Sequence, residues 1–350
     1  MLNEQEKLNF INSVSGVLKS LNTRSQDVIF RRFGLKTGDI ETLESIGKKY
    51  NITRERVRQI EETALRELRK NFESFNFKDR VLNIKAIVQS YGNVIREDFL
   101  FYEFSGAHQY NKANAALVFL MTISSNFEEY PEDSKYFTIW TVKDPFYIDQ
   151  AKDTAEKVIQ GFKKHASVVP EAELAAFFNK FSKEAVDDKK IILSYLSLSK
   201  NIGKNIFGEW GFAFWPEIKP KGIKDKAYLV LKRTAKPLHF ADIASLINTH
   251  KFDSKKANFQ TVHNELIKDK RFVLVGRGLY ALSEWGYEAG TVKDVLVSIL
   301  KKHGPMPKEK VLAKTAEIRF VKPNTVLLNL QDKKLFKKTD NGNYALIDKA

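Results

Sequence analysis

Cysteine is absent from the 350-residue chain, which excludes disulfides and thiolate-held metals. The six histidines, His108, His165, His239, His250, His263 and His303, are scattered. No pair has the spacing of metal ligands, so no metal and no cofactor is expected. No stretch reaches the roughly 18 uninterrupted apolar residues of a membrane span. The opening Met-Leu-Asn-Glu-Gln-Glu-Lys is acidic where a secretion leader needs a basic and then an apolar run. The sequence also lacks a Gly-x-Ser-x-Gly elbow, a His-Glu-x-x-His helix and a phosphate loop. Its acidic pairs, Glu128-Glu129 and Asp187-Asp188, are sequence neighbours that do not face each other on a helix or strand. The expectation is a soluble protein without catalytic chemistry.

Hydrophobic residues make up 43% of the chain, including 26 Phe, which is ample for packed cores. Lysine and arginine give a net charge of +15, and it is uneven: +4 over residues 1–78, −2 over 79–216 and +13 over 217–350. Such a skew has two readings, a polyanion partner for the basic half or a lysine-rich solubilising surface.

Residues 23–35 read as a helix opened by a capping box at Thr23-Arg-Ser-Gln26 and ended by Gly34. A short helix follows at Thr42-Leu-Glu-Ser-Ile-Gly-Lys-Lys-Tyr50. Tyr50-Asn51-Ile52 turns the chain, and Thr53 caps a third helix through Leu68. At 100° per residue, Val57, Ile60, Ala64 and Leu68 share a narrow arc and must face inward. Glu55, Gln59, Glu62 and Arg66 point the other way, with Arg58 on the flank and Arg54 at the start. Two helices joined by a tight turn, the second with an apolar back and a polar front, make a helix-turn-helix. Arginine suits guanine O6/N7, glutamine adenine N6/N7, and glutamate cytosine N4. An ordinary helical hairpin with a solvated face is the competing reading.

Arg31-Arg-Phe-Gly-Leu35, Thr42-Leu-Glu-Ser-Ile-Gly47, Thr53-Arg-Glu-Arg-Val-Arg-Gln-Ile-Glu61 and Ala64-Leu-Arg-Glu-Leu-Arg69 closely resemble region 4 of primary-type bacterial sigma factors. The resemblance implies a unit that reads a −35 promoter element and touches RNA polymerase. It places base reading on Arg54, Glu55, Arg58 and Gln59, with Thr53 and Arg56 beside them as DNA-binding candidates. Where the family has Ala-Lys-Ala, this chain has Glu62-Thr63-Ala64, an acid in place of a basic phosphate contact. Only 22 residues precede Thr23, and no aromatic-rich segment downstream matches the helix that melts the −10 element. A −35-type reader that does not initiate transcription alone is expected.

From residue 79 one pattern recurs four times at a period of roughly 60–75 residues. An apolar-periodic helix (Val81–Val88, Ala155–Phe162, Ala227–Leu231, Val292–Leu300) leads through two more helices. Each copy closes on an aromatic β segment: 136–140, 211–215, 278–285 and 343–347. Three helices closed by a hairpin make a winged helix. The expected fold is therefore mainly α: an N-terminal helix-turn-helix followed by tandem winged-helix domains with small β-hairpin wings. The expected boundaries are 1–78, 79–145, 150–216, 222–288 and 290–350, with one larger helical domain over 79–216 as the alternative.

The third copy contains Pro237-Leu-His239, Arg271-Phe-Val273 and Gly276-Arg-Gly-Leu-Tyr-Ala-Leu-Ser-Glu-Trp285, and resembles the HARE-HTH winged-helix family. That implies nucleic-acid or transcription-complex work. Chemistry singles out Lys255, Lys256, Arg271 and Arg277, on the third helix and wing, as phosphate contacts. Lys322, Lys333, Lys334, Lys337 and Lys338 are their counterparts in the last copy. The expected function is a DNA-binding transcription factor or RNA polymerase-associated regulator that reads a −35-like element. A polymerase accessory protein binding chiefly protein is the alternative. Expected partners are double-stranded DNA and RNA polymerase core, with no membrane, and the expected location is the cytoplasm, at the nucleoid.

Overall fold

The computed structural model describes residues 1–183, 185–287 and 290–347; the boundaries expected at residues 288 and 350 lie outside them. The chain divides into two compact units, one over Met1–Phe214 and the other from Trp215 onward. Each is mainly α with small antiparallel sheets. No helix among the described residues is long and apolar enough to cross a membrane.

Unit 1 begins with α1 (Glu4–Gly16), α2 (Thr23–Arg32), α3 (Leu43–Tyr50) and α4 (Arg54–Lys70). There follow α5 (Lys78–Gln89), β1 (Val94–Arg96), α6 (Glu97–Ser105), α7 (Lys112–Ile123), β2 (Phe127–Tyr130) and β3 (Ile139–Val142). The order then repeats as α8 (Pro145–His165), β4 (Val169–Pro170), α9 (Leu174–Asn179), α10 (Lys189–Ser197), β5 (Ile202–Lys204) and β6 (Glu209–Phe212). In both copies the last strand lies in the middle of three, in the orders β1-β3-β2 and β4-β6-β5. This is the winged-helix order of helix, strand, two helices and a hairpin. The sequence-read start of the second copy, at Ala155, falls inside α8, which Asp144 caps by accepting from the Phe146 N–H.

Unit 2 repeats the order with α11 (Ile223–Thr234), β7 (Leu238–His239), α12 (Phe240–His250), α13 (Phe259–Lys268), β8 (Phe272–Gly276) and β9 (Leu279–Leu282). Its sheet runs β7-β9-β8. Last come α14 (Val292–His303), α15 (Lys308–Ile318), α16 (Pro323–Leu330), β10 (Phe336–Lys338) and β11 (Tyr344–Leu346). Here a single bridge between Met306 and Tyr344 stands where the other copies have a first strand. Each copy in unit 2 closes its own core, one around Val230, Ile243, Val262 and Tyr280 and the other around Leu296, Val311, Val326 and Phe336.

In unit 1 a single hydrophobic cluster contains Phe10, Leu68, Phe119 and Trp140. The boundary expected at residue 78 therefore separates segments that share a core. The reason lies in α7: every residue from Ala113 to Met121 is buried, as is Ile123. A helix apolar all round has to be enclosed on all sides, and here α1, α4 and α6 enclose it. Its one buried amide, Asn114, donates to the carbonyls of Ala107 and Gln109 at 3.2 and 2.8 Å. The third helix of the second copy, α10, is covered as well. Ile192, Ser194, Tyr195 and Leu196 are buried, and the Ser194 hydroxyl donates to the Val94 carbonyl of β1 at 2.6 Å.

Candidate nucleic-acid interface

The helix-turn-helix is written into local geometry. Thr42 and Thr53 cap α3 and α4, accepting from the N–H groups of Ser45 and Arg56 at 3.2 Å each. Asn51 ends α3 with φ 53°, a left-handed conformation that asparagine tolerates. The Ile52 N–H then returns to the Gly47 carbonyl at 3.0 Å. A Cβ at position 47 would sit 2.7 Å from the Ile52 carbonyl oxygen, so the turn closes this tightly only over glycine. Val28, Ile46 and Val57 fill the space behind it.

The cap of α2 is one residue earlier than the sequence reading placed it. Asn22, not Thr23, accepts from the Ser25 N–H at 2.9 Å, and Gln26 donates to the Leu21 carbonyl instead of closing a capping box. The helix stops at Arg32, and Gly34 takes φ 61° against the Asp39 backbone. Arg31 bridges Asp27 and Glu41 at 2.6 Å each. Arg32 reaches Glu61 of α4 at 3.0 Å and the Glu41 carbonyl at 2.7 Å. Burial alone would raise the Asp27 carboxyl, but hydrogen bonds from Tyr50 and Arg31 outweigh it and hold it below the usual range. These half-buried pairs fix α2 against α3 and α4.

On α4, Val57, Ala64 and Leu68 are buried and Ile60 is half-buried. Burying each large aliphatic side chain contributes about 1.5–3 kcal/mol. The opposite edge is open: Thr53, Arg54, Glu55, Arg56, Arg58 and Gln59 are all exposed. They form their own network. Arg58 donates to Glu55 at 2.8 Å and to Glu62 at 3.3 Å, Glu62 also meets Arg66 at 3.5 Å, and Arg56 donates to the Gln59 side-chain oxygen at 3.0 Å. The Arg58 hydrogen bond keeps the Glu55 carboxyl below its ordinary range, so Glu55 is an acceptor at neutral pH. Pairs this exposed contribute little to stability and are readily exchanged for other partners. The back of the same helix is fixed: the Arg69 guanidinium donates to the Thr122 carbonyl of α7 at 3.1 Å. The Phe33 and Phe119 rings meet edge-on at 5.1 Å.

The sequence reading passed over Arg24, Lys48 and Lys49. All three are exposed, and Arg24 and Lys49 line an open hollow beside Tyr50 with Thr23 and Asp27. Because the first helix of such a motif crosses the backbone of the duplex, cations at its end were the signal to look for.

The basic residues of unit 2 divide by role. Lys255 and Lys256 are exposed, in the loop before α13 and not on it. Arg277 is exposed at the hairpin tip between β8 and β9. Arg271 is committed within its own domain, paired with Asp269 at 2.7 Å and with buried Asp225 at 3.0 Å. The Asp269 hydrogen bond raises the guanidinium's pKa further. Lys322 is exposed at the cap position of α16, Lys333 and Lys334 in the turn before β10, and Lys337 and Lys338 along β10.

Two segments match known families. Residues 17–70 match the family model for sigma-70, region 4. The region 4 match takes in α2, α3 and α4 whole, and with them the open edge of α4. Residues 222–285 match the HARE-HTH model, a helix-turn-helix domain named in part for ASXL and restriction endonuclease proteins. Among curated relatives, RNA polymerase sigma factor SigA1 of Synechococcus elongatus is 54% identical over 56 residues, covering 16% of this chain and 14% of its own length. RNA polymerase sigma factor SigA of Clostridium acetobutylicum is 49% identical over 63 residues, 18% of this chain and 17% of the relative. SigA of Nostoc sp. is 57% identical over 53 residues, 15% and 14%. The chain thus spans about one seventh of the length of the curated relatives it matches.

Proposed function

We propose that this protein is a non-catalytic transcription regulator that binds duplex DNA and reads a −35-like hexamer with the open edge of α4. One observation carries the reading: Arg54, Glu55, Arg58 and Gln59 stand exposed together at the head of a helix whose back is buried. Their hydrogen-bonding groups suit guanine, cytosine and adenine edges, and region 4 of the relatives supports the assignment. Thr53 and Arg56 flank this edge, and Arg24, Lys48 and Lys49 stand where the duplex backbone would pass. Segments 79–145 and 150–216, whose third helices are covered, hold the reader in place. Segments 222–288 and 290–350 add backbone contacts through Lys255, Lys256, Arg277, Lys322, Lys333, Lys334, Lys337 and Lys338.

Random-site selection with the purified chain tests this directly. A recovered −35-like hexamer is the expected result; a pool that stays random after repeated rounds overturns the reading. A second reading, a polymerase accessory protein bound chiefly to protein, is favoured by Glu62. Its pairing with Arg58 and Arg66 neutralises cations where a phosphate would sit. A salt titration separates the two, because contacts through several lysines and arginines weaken steeply with salt.

A further inference from the structure

We propose that the third winged helix, over residues 222–285, captures an unpaired base of single-stranded DNA on a column of aromatic rings at the head of α13. The column runs from His263 to Phe240, with ring centroids 4.4 Å apart and planes inclined by 25°. It continues from Phe240 to Phe259, 6.4 Å apart and inclined by 30°. His239 packs against Phe240 as well, at 4.3 Å. The open end is Phe259, which is 54% exposed although it is the first residue of the helix. A phenyl ring has no donor or acceptor for a base edge in a groove. Its face gains most when a base leaves its own stack, and every base has a π-face to offer.

Charge completes the site. Ser254-Lys-Lys-Ala-Asn-Phe-Gln-Thr-Val-His-Asn264 contains two lysines and no acid. The preceding Asp253 is already paired with buried Lys226 at 2.6 Å. The wing closes over the same place: a Cβ on Gly278 would lie 2.4 Å from the His239 ring and 3.2 Å from Phe240. Exposed Arg277 is therefore held beside the column. Gln260, Thr261 and Asn264 are polar and at least partly exposed around Phe259, within reach of a stacked base's edge. Cations that follow a backbone beside an exposed ring make the arrangement that single-stranded nucleic acid needs.

This inference does not rest on groove reading by α4, and its test keeps the two apart. Binding of the full chain to a labelled oligo-dT single strand and to a duplex carrying the selected hexamer is measured by anisotropy. Phe259→Ala is expected to weaken oligo-dT binding about five- to a hundredfold and to leave duplex binding unchanged. Phe259→Trp retains single-strand binding, and its added indole emission is quenched by the oligonucleotide. Gln59→Ala has the opposite pattern, losing duplex affinity alone. Far-UV circular dichroism confirms that the variants are folded. Unchanged oligo-dT binding by Phe259→Ala, or equal losses on single strand and duplex, overturns the proposal. So does a wild-type chain with no measurable affinity for the single strand.

Discussion

Helices α7 and α13 hold the same place in the first and third copies of one topological unit, yet only α13 has a wet face. In α7 the stretch Ala113–Met121 is enclosed on every side, and its partners include α4, whose other edge carries the exposed row from Thr53 to Gln59. In α13 only Val262 and Leu266 are buried, while Phe259, Gln260, Thr261 and Asn264 face out. A shared topology thus serves two ends. Where the third helix is apolar all round it becomes a brace for the helices packed on it; where it keeps a polar stripe that face stays in water. The charge distribution agrees, since residues 79–216 carry −2 and residues 217–350 carry +13.

The largest expected effect breaks the brace. Phe119→Ala removes a fully buried ring packed on Phe33 and should cost about 3–5 kcal/mol in denaturant unfolding. Phe259→Ala, at the matching helix of the third copy, should stay within about 0.5 kcal/mol of wild type. Similar losses at both sites would erase the distinction between a bracing and an open helix.

Next in size are changes in salt dependence. Lys333→Ala with Lys334→Ala should weaken binding to all DNA sequences alike and lower the slope of log affinity against log salt by about one per lysine. A loss confined to the selected hexamer would move base reading onto unit 2. Glu62→Lys should act in the opposite sense on α4, freeing Arg66, leaving Arg58 paired with Glu55 alone and steepening that slope by about one. Unchanged duplex affinity would mean that this turn of α4 does not approach a phosphate.

The smallest effect concerns pH and the interior of the brace. Burial raises the Glu97 carboxyl, opposed by the hydrogen bond from Trp140 at 2.9 Å and assisted by the Glu129 and Asp98 charges. Its folded-state value lies above the unfolded one, so the contribution of Glu97 to stability is present below the ordinary carboxylate value and is lost as pH rises from there through the raised one. Glu97→Gln keeps an acceptor for the indole without the charge. It is expected to be slightly more stable near neutral pH, with the advantage fading below that range in pH-dependent thermal melts.

Much of this was readable in the residues. Thr42, Thr53 and Gly34 mark helix ends by their chemistry, and Val57, Ala64 and Leu68 fix the inward arc of α4. The α2 cap was misplaced because Asn22 and Thr23 are both capping residues, and only backbone geometry decides between them. The brace went unread although its signal was present: Ala113–Ile123 carries two polar residues, Asn114 and Thr122, and so lacks the polar stripe a groove-reading helix requires. The charge of Arg271 gives no hint of its pairing with Asp225, 46 residues away. The ring column of the third copy joins His239 of β7, Phe240 of α12, and Phe259 and His263 of α13, and sequence spacing alone does not bring them together.

If α4 reads bases with an edge that α7 holds steady from behind, the loss should show at Gln59. Affinities of wild type and Gln59→Ala are compared on the selected hexamer and on a scrambled duplex at one salt concentration. The account predicts a loss of about 1–3 kcal/mol on the hexamer and none on the scrambled site. Equal affinities of the two proteins for the hexamer would contradict it.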